Sequence, residues 1–210
     1  MTTAFQWVFD NAQTIRIDRL KNVSSTTSRS GVVRAVTRPG QPWLFEVQLP
    51  AGPRWTDSRK YISEIEALDR TTVGTVQFSN SGHDWLIGYQ GDLADPSAIT
   101  YTTPSGIGNT ITLTGGHTGL TSGQYIFKAG DVIQLDTTGH CYTVAADVAH
   151  DASTVTLHRP IIDPSSSSGT LLVAENCTWS VICVDFPQWE IFSRDQVGWS
   201  GSFVFVEDLS

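Results

Sequence analysis

Charge and sulfur are both scarce in this chain. Only 16% of its 210 residues are charged, and it has three cysteines and a single methionine. Cys141, Cys177 and Cys183 are odd in number and form no CxxC pair. That argues against a disulfide framework and leaves them as small buried hydrophobes. Long apolar runs are missing too, none approaching the roughly 20 residues that a membrane-spanning helix needs. The first residues, MTTAFQWVFDN, lack the basic and apolar regions of a secretory signal. A soluble protein made in a cytoplasm is the expectation, and the sequons at Asn22 and Asn176 then carry little meaning.

Basic residues are few: 13 against 21 acidic, a net charge of −8. Residues 1–70 hold ten Lys/Arg and seven Asp/Glu, residues 71–210 three and fourteen, so +3 and −11 make up the whole. Such a balance excludes the basic footprint of a nucleic-acid binder. It suits a soluble surface to which passing DNA does not adhere.

What is plentiful is Thr, Ser, Gly and Val, the composition of an all-β chain. The clearest segment is 125–160, where Val132, Ile133 and Leu135, then 142–148, then 155–157 read as three antiparallel strands. Gly, Asp and Ser clusters separate them, and Pro160 ends the last. Alternation predicts strands over 5–10 and 13–17, a projecting polar loop over 22–31 (NVSSTTSRSG), and strands over 32–36 and 43–49 with a turn at 38–42. One helix is expected over 57–68, capped by Thr56 or Asp57, with Tyr61, Ile62, Ile65 and Leu68 as its apolar stripe laid on a sheet. Residues 73–78 and 84–89 read as a hairpin around a turn at 79–82, and 110–113 and 171–173 as further strands. Residues 92–108 read as linker residues with one short strand and 161–169 as a linker, while 178–184, 188–193 and 203–207 resume the long aromatic strands of the beginning. The expected organisation is a β domain formed by 1–92 and 175–210, with a small β domain, 93–174, inserted into it.

Arrangements able to do chemistry are absent. His140 and His150 with Asp131, Asp147 and Asp151 lack any metal-ligand spacing. Gly106 and Gly108 lack the third glycine and helix of a phosphate cradle, and no GxSxG elbow exists. Glu175, Asp185 and Glu190 lie near aromatic residues, as carboxylates do in any acidic β protein, and the expectation is that the chain is not an enzyme. No catalytic, cofactor-binding or metal-binding residue is assigned, no cofactor is expected, and no binding residue is named. Of seven tryptophans, Trp7, Trp43, Trp179 and Trp189 sit in strand patterns and are expected in the core, while Trp55 and Trp199, beside turns, are interface candidates. The stretches TVGTVQFS and SGSFVFVEDL would leave apolar strand edges open to pairing with another chain.

The segment FKAGDVIQLDTTGHCYTVAADVAHDASTVTLHRPI resembles modules of tailed-bacteriophage structural proteins. The ending PQWEIF, then VGWSGSFVFVEDL from Val197 to Leu209, resembles the C-terminal part of phage minor tail proteins. The early strands with one packed helix are similar in outline to the tail-tube fold of tube, distal-tail and baseplate-hub proteins. The resemblance implies a mainly β fold, a tail-tube-like sandwich or barrel with one packed helix plus an inserted small β-barrel. It also implies a homo-oligomeric ring in the virion, usually of six subunits, joining the tail tube to hub or fibre proteins around the DNA channel. Tube, hub, tape-measure and fibre proteins would be its partners. An alternative is a host-glycan-binding module, which an exposed row formed by Tyr101, Tyr125, Phe127 and Tyr142 would favour; a cell-wall hydrolase using a carboxylate such as Glu190 is a further one.

Overall fold

The computed structural model describes residues 3–19, 23–27, 33–37, 41–68, 71–78, 82–162, 167–192 and 195–210. Parts of the turns expected at 38–42 and 79–82, of the loop at 22–31 and of the link at 161–169 lie outside these residues. The described residues are mainly β, with two α-helices and a curled, half-barrel sheet.

Thr3 opens the first helix, α1 (Ala4–Asp10), its hydroxyl accepting from the Gln6 amide. Residues 5–10 are therefore helical and not the expected strand. Ala4, Phe5, Val8 and Phe9 are buried together, a set spaced for one face of a helix rather than for the period of two of a strand. There follow β1 (Thr14–Arg19), β2 (Val23–Thr27), β3 (Val33–Thr37), β4 (Trp43–Gln48), α2 (Trp55–Ala67) and β5 (Gly74–Gln77). Residues 23–27, expected as loop, form a ribbon with β3. In α2 the buried positions include Ile62 and Ile65, and Trp7 of α1 stacks on Tyr61 at 4.8 Å. Residues 84–86 form a 3-10 turn, not the expected hairpin partner of β5.

The middle of the chain supplies β6 (Thr100–Thr102), β7 (Thr110–Gly115), β8 (Tyr125–Phe127), β9 (Val132–Leu135), β10 (Cys141–Thr143), β11 (Val148–Ala149), β12 (Thr154–Thr156) and β13 (Ser168–Val173). The expected second strand of the meander is thus two short ones. It breaks over exposed residues 145–147, and β11 pairs with β8 while β10 stays with β9. The last elements are β14 (Thr178–Asp185), β15 (Gln188–Phe192), β16 (Gln196–Ser200) and β17 (Phe203–Glu207).

Two larger sheets organise these strands. The first has the order β1-β4-β17-β14-β5 and the second β10-β9-β13-β6-β7-β12. All pairings in both are antiparallel. The first sheet joins strands from both ends of the chain; the second uses residues 100–173 alone. Its end strands meet, since Val144 bridges Leu157, the Ala145 amide donates to Thr156 and the His158 amide to Thr143. Phe5, Phe9, Phe45, Phe78, Phe205 and Trp179 fill one core, packed edge to face. Tyr101, Ile126, Phe127, Ile133, Tyr142 and Leu171 lie in the other.

A buried ion pair joins the two sheets. Arg159, 1% exposed, meets both carboxylate oxygens of Glu207 on β17 at 2.7 Å and donates to the carbonyls of Gln41 and Cys141. The Trp43 amide donates to the same carboxylate, and the Trp43 indole to the Cys141 carbonyl. The bidentate geometry and the Trp43 amide on the same carboxylate offset part of the desolvation, while the buried Arg159 Nε finds no hydrogen-bond partner among the described residues. Gln134 of β9 adds a second link, donating to the Thr178 carbonyl and accepting the Thr178 amide at 2.9 Å. At the passage between sheets, a Cβ on Gly91 would lie 2.2 Å from the Tyr89 hydroxyl. That hydroxyl donates to the Ile126 carbonyl, and burial pushes its pKa up to about 12.

Candidate interaction surface

Sheet edges are where a β protein meets other chains, because an end strand shows a row of unpaired amides and carbonyls. This chain treats its edges unequally. The outer side of β5 is closed by α1: the Gln6 side chain accepts the Gln77 amide at 2.8 Å and donates to the Gln77 carbonyl at 2.7 Å, while the Thr3 hydroxyl reaches the Thr75 carbonyl. One glutamine amide thus imitates a neighbouring strand residue. Gly74 permits this closeness, since a Cβ there would lie 2.3 Å from the Phe5 ring. The expected open edge at TVGTVQFS is covered. The other expected edge, SGSFVFVEDL, does not exist, because β17 lies between β4 and β14 in the middle of its sheet.

The strands β15 and β16 form a ribbon of their own. Its inner strand is sewn to the body: Val197 exchanges backbone bonds with Gly52 and Pro53, Arg54 bridges Gln196, and the Trp55 amide donates to the Asp195 carbonyl. The expected cap of α2 is also supplied from here. Neither Thr56 nor Asp57 caps the helix; Asp195, at a φ of 75°, takes the Thr56 amide and hydroxyl on its carboxylate, each at 3.3 Å. The signal was not local, for the cap lies 139 positions further along the chain.

The outer strand, β15, has no such cover, and among the described residues nothing pairs with its outer side. Ile191 is 52% and Phe192 39% exposed there. Trp189 stacks on Trp55 at 4.9 Å and its indole donates to Glu66. Both tryptophans are half-buried, so Trp55 lies beside the exposed edge and Trp189 is not the core residue expected. Trp43 and Trp179 are buried as expected, Trp7 is half-buried, and Trp199 packs on Phe203 at 5.3 Å. A groove of about 570 Å³ runs along the ribbon, lined by Ala51, Trp189, Glu190, Phe192, Gly198 and Trp199 among others. Sequence reading missed β16, and with it the groove.

The remaining sequence candidates do not converge. Glu175, Asp185 and Glu190 are all exposed and lie on three different elements. Among the described residues no group of His, Cys, Asp and Glu is placed to hold a metal. Asp131 is buried and accepts the amides of Gln90 and Lys128, Asp147 accepts the Ala129 amide, and His150 lies 3.8 Å from Asp151. His140 lies 3.9 Å from Glu207. Tyr101, Phe127 and Tyr142 are fully buried, so the row that would favour glycan stacking on the second sheet is not there. All three cysteines are buried and none is in a disulfide among the described residues, and burial raises the Cys141 thiol well above its ordinary value. Among the described residues no helix is long and apolar enough to cross a membrane.

No family model and no curated protein matches this chain. Function is therefore read from the surface itself.

Proposed function

We propose that the protein is a structural component of a bacteriophage tail tip or baseplate, assembling into a ring that joins the tail tube to hub or fibre proteins around the DNA channel. The observation that carries this reading is the ribbon β15–β16, fixed to the body on one side and open, with Ile191 and Phe192 exposed, on the other. A two-stranded ribbon is marginal by itself in water, and an uncovered apolar edge is a template for another chain. Among the described residues the ribbon β2–β3 likewise pairs with neither larger sheet. The phrases PQWEIF and VGWSGSFVFVEDL, which resemble phage minor tail proteins, span this same ribbon and β17. A net charge of −8 suits a channel that DNA must slide through without sticking.

The test is the mass of the purified chain over a wide range of concentration, by native mass spectrometry and sedimentation. A closed oligomer, seen as rings in electron micrographs, is the expected result. A monomer at every concentration overturns the proposal.

A further inference from the structure

The chain leaves a second strand edge uncovered, and its chemistry is the complement of the first. Strand β1 ends its sheet, and among the described residues nothing pairs with its outer side. In β1, Ile15 and Ile17 are half-buried on one face, with Arg16 between them pointing to the other. In β15, Trp189 and Ile191 share one face, with Glu190 between them. Laid edge to edge with Arg16 opposite Glu190, the two strands put four apolar side chains on one face and an opposite-charge pair on the other.

We infer that the outer edge of β15 in one copy of this chain pairs with the outer edge of β1 in the next copy. The inference rests on the assembly reading above and deepens it by naming the two surfaces. Charge selects this pairing over the symmetric ones. Strand β1 itself carries Arg16 and Arg19 against Asp18, a net of +1. Strand β15 carries Glu190 as its one charge, a net of −1. Pairing β15 with β15 brings no base to Glu190 in any register, and pairing β1 with β1 about Arg16 sets like charges opposite each other, which destabilises a strand pair. Arg16 lies 3.3 Å from Glu46 across the β1–β4 pair, yet its side chain stays 66% exposed and free to meet a second carboxylate. Apart from Glu190, β15 holds none of the devices that keep other edges from pairing, with no Lys, no Pro and no bulge. Two different patches on one chain give a heterologous contact, which closes into a ring when the rotation allows it.

Two single substitutions test this, Arg16→Cys and Glu190→Cys, both at exposed positions in a chain whose own cysteines are buried. The two variants are mixed in equal amounts and treated with a short bis-maleimide. The inference predicts a linked two-chain species joining positions 16 and 190 in the mixture, absent from either variant alone. It also predicts that Ile191→Lys raises the concentration needed for assembly at least tenfold. If the wild-type chain assembles but the mixed variants link only like with like, or not at all, this inference is overturned and the assembly reading stands. If the wild-type chain stays monomeric, both fall.

Discussion

Arg159 is the side chain whose loss should cost most. It is buried and holds both oxygens of Glu207, so Arg159→Met leaves a carboxylate without its counter-charge. We expect about 3–5 kcal/mol of destabilisation in urea unfolding. Glu207→Gln in the same background should cost less than it does alone, because the stranded charge is already gone; additive effects would contradict the pairing. Asp131 behaves differently, because its partners are amides. Burial raises its pKa above 3.8, against the opposing pull of the Lys128 and Gln90 amides. Folding thus favours the protonated form. The contribution is fully present below pH 3.8 and is lost as pH rises through the shifted value. A carbon NMR titration of this carboxyl should give a midpoint above 3.8, and one at or below it would refute the burial argument.

At the scale of elements, α1 is the piece that decides whether an edge is open or shut. Gln6→Ala removes both partners that the Gln77 backbone finds on that side. Leaving such groups unmet in a half-buried place costs about 1–3 kcal/mol. The expected readout is a lower melting temperature together with new concentration-dependent self-association; an unchanged melting point would show that water replaces the amide fully. The sequence made α2, β4 and β14 legible by the period of their apolar residues, and β9 and β17 as short apolar runs bounded by turn residues. It misled at α1, where Phe5, Trp7 and Phe9 alternate like a strand while Phe5, Val8 and Phe9 also fit a helix face, and seven residues are too few to separate the two periods. It misled again over which strands lie at edges. β17 reads as an exposed apolar run, but the central place that buries it is set by β4 and β14, far away in the chain. Of the candidate surface, Trp55 was visible as a residue beside a turn. β16 was not, since Gly198 and Gln196 dilute its pattern.

For the whole molecule, the question is whether the two sheets behave as one body. Arg159, Trp43 and Gln134 all bond across the junction, and Val132 and Cys141 of the second sheet belong to the core of the first. We expect a single unfolding transition, with calorimetry and tryptophan fluorescence coincident. Every tryptophan lies outside residues 93–174, so fluorescence reports the first unit and circular dichroism both. Arg159→Met should pull the two signals apart. Two separate transitions in the wild-type chain would show the junction to be a contact rather than a weld.

That junction also bears on how such a chain changes over generations. A segment that starts and ends within one β protein looks easy to exchange for another of similar length. Here the exchange is locked: the carboxylate of Glu207 lies buried in the strand between β4 and β14 and requires an arginine from the segment that is swapped. A replacement lacking that arginine would inherit a buried charge with no partner. Recombination between relatives should therefore carry position 159 and position 207 together or fail.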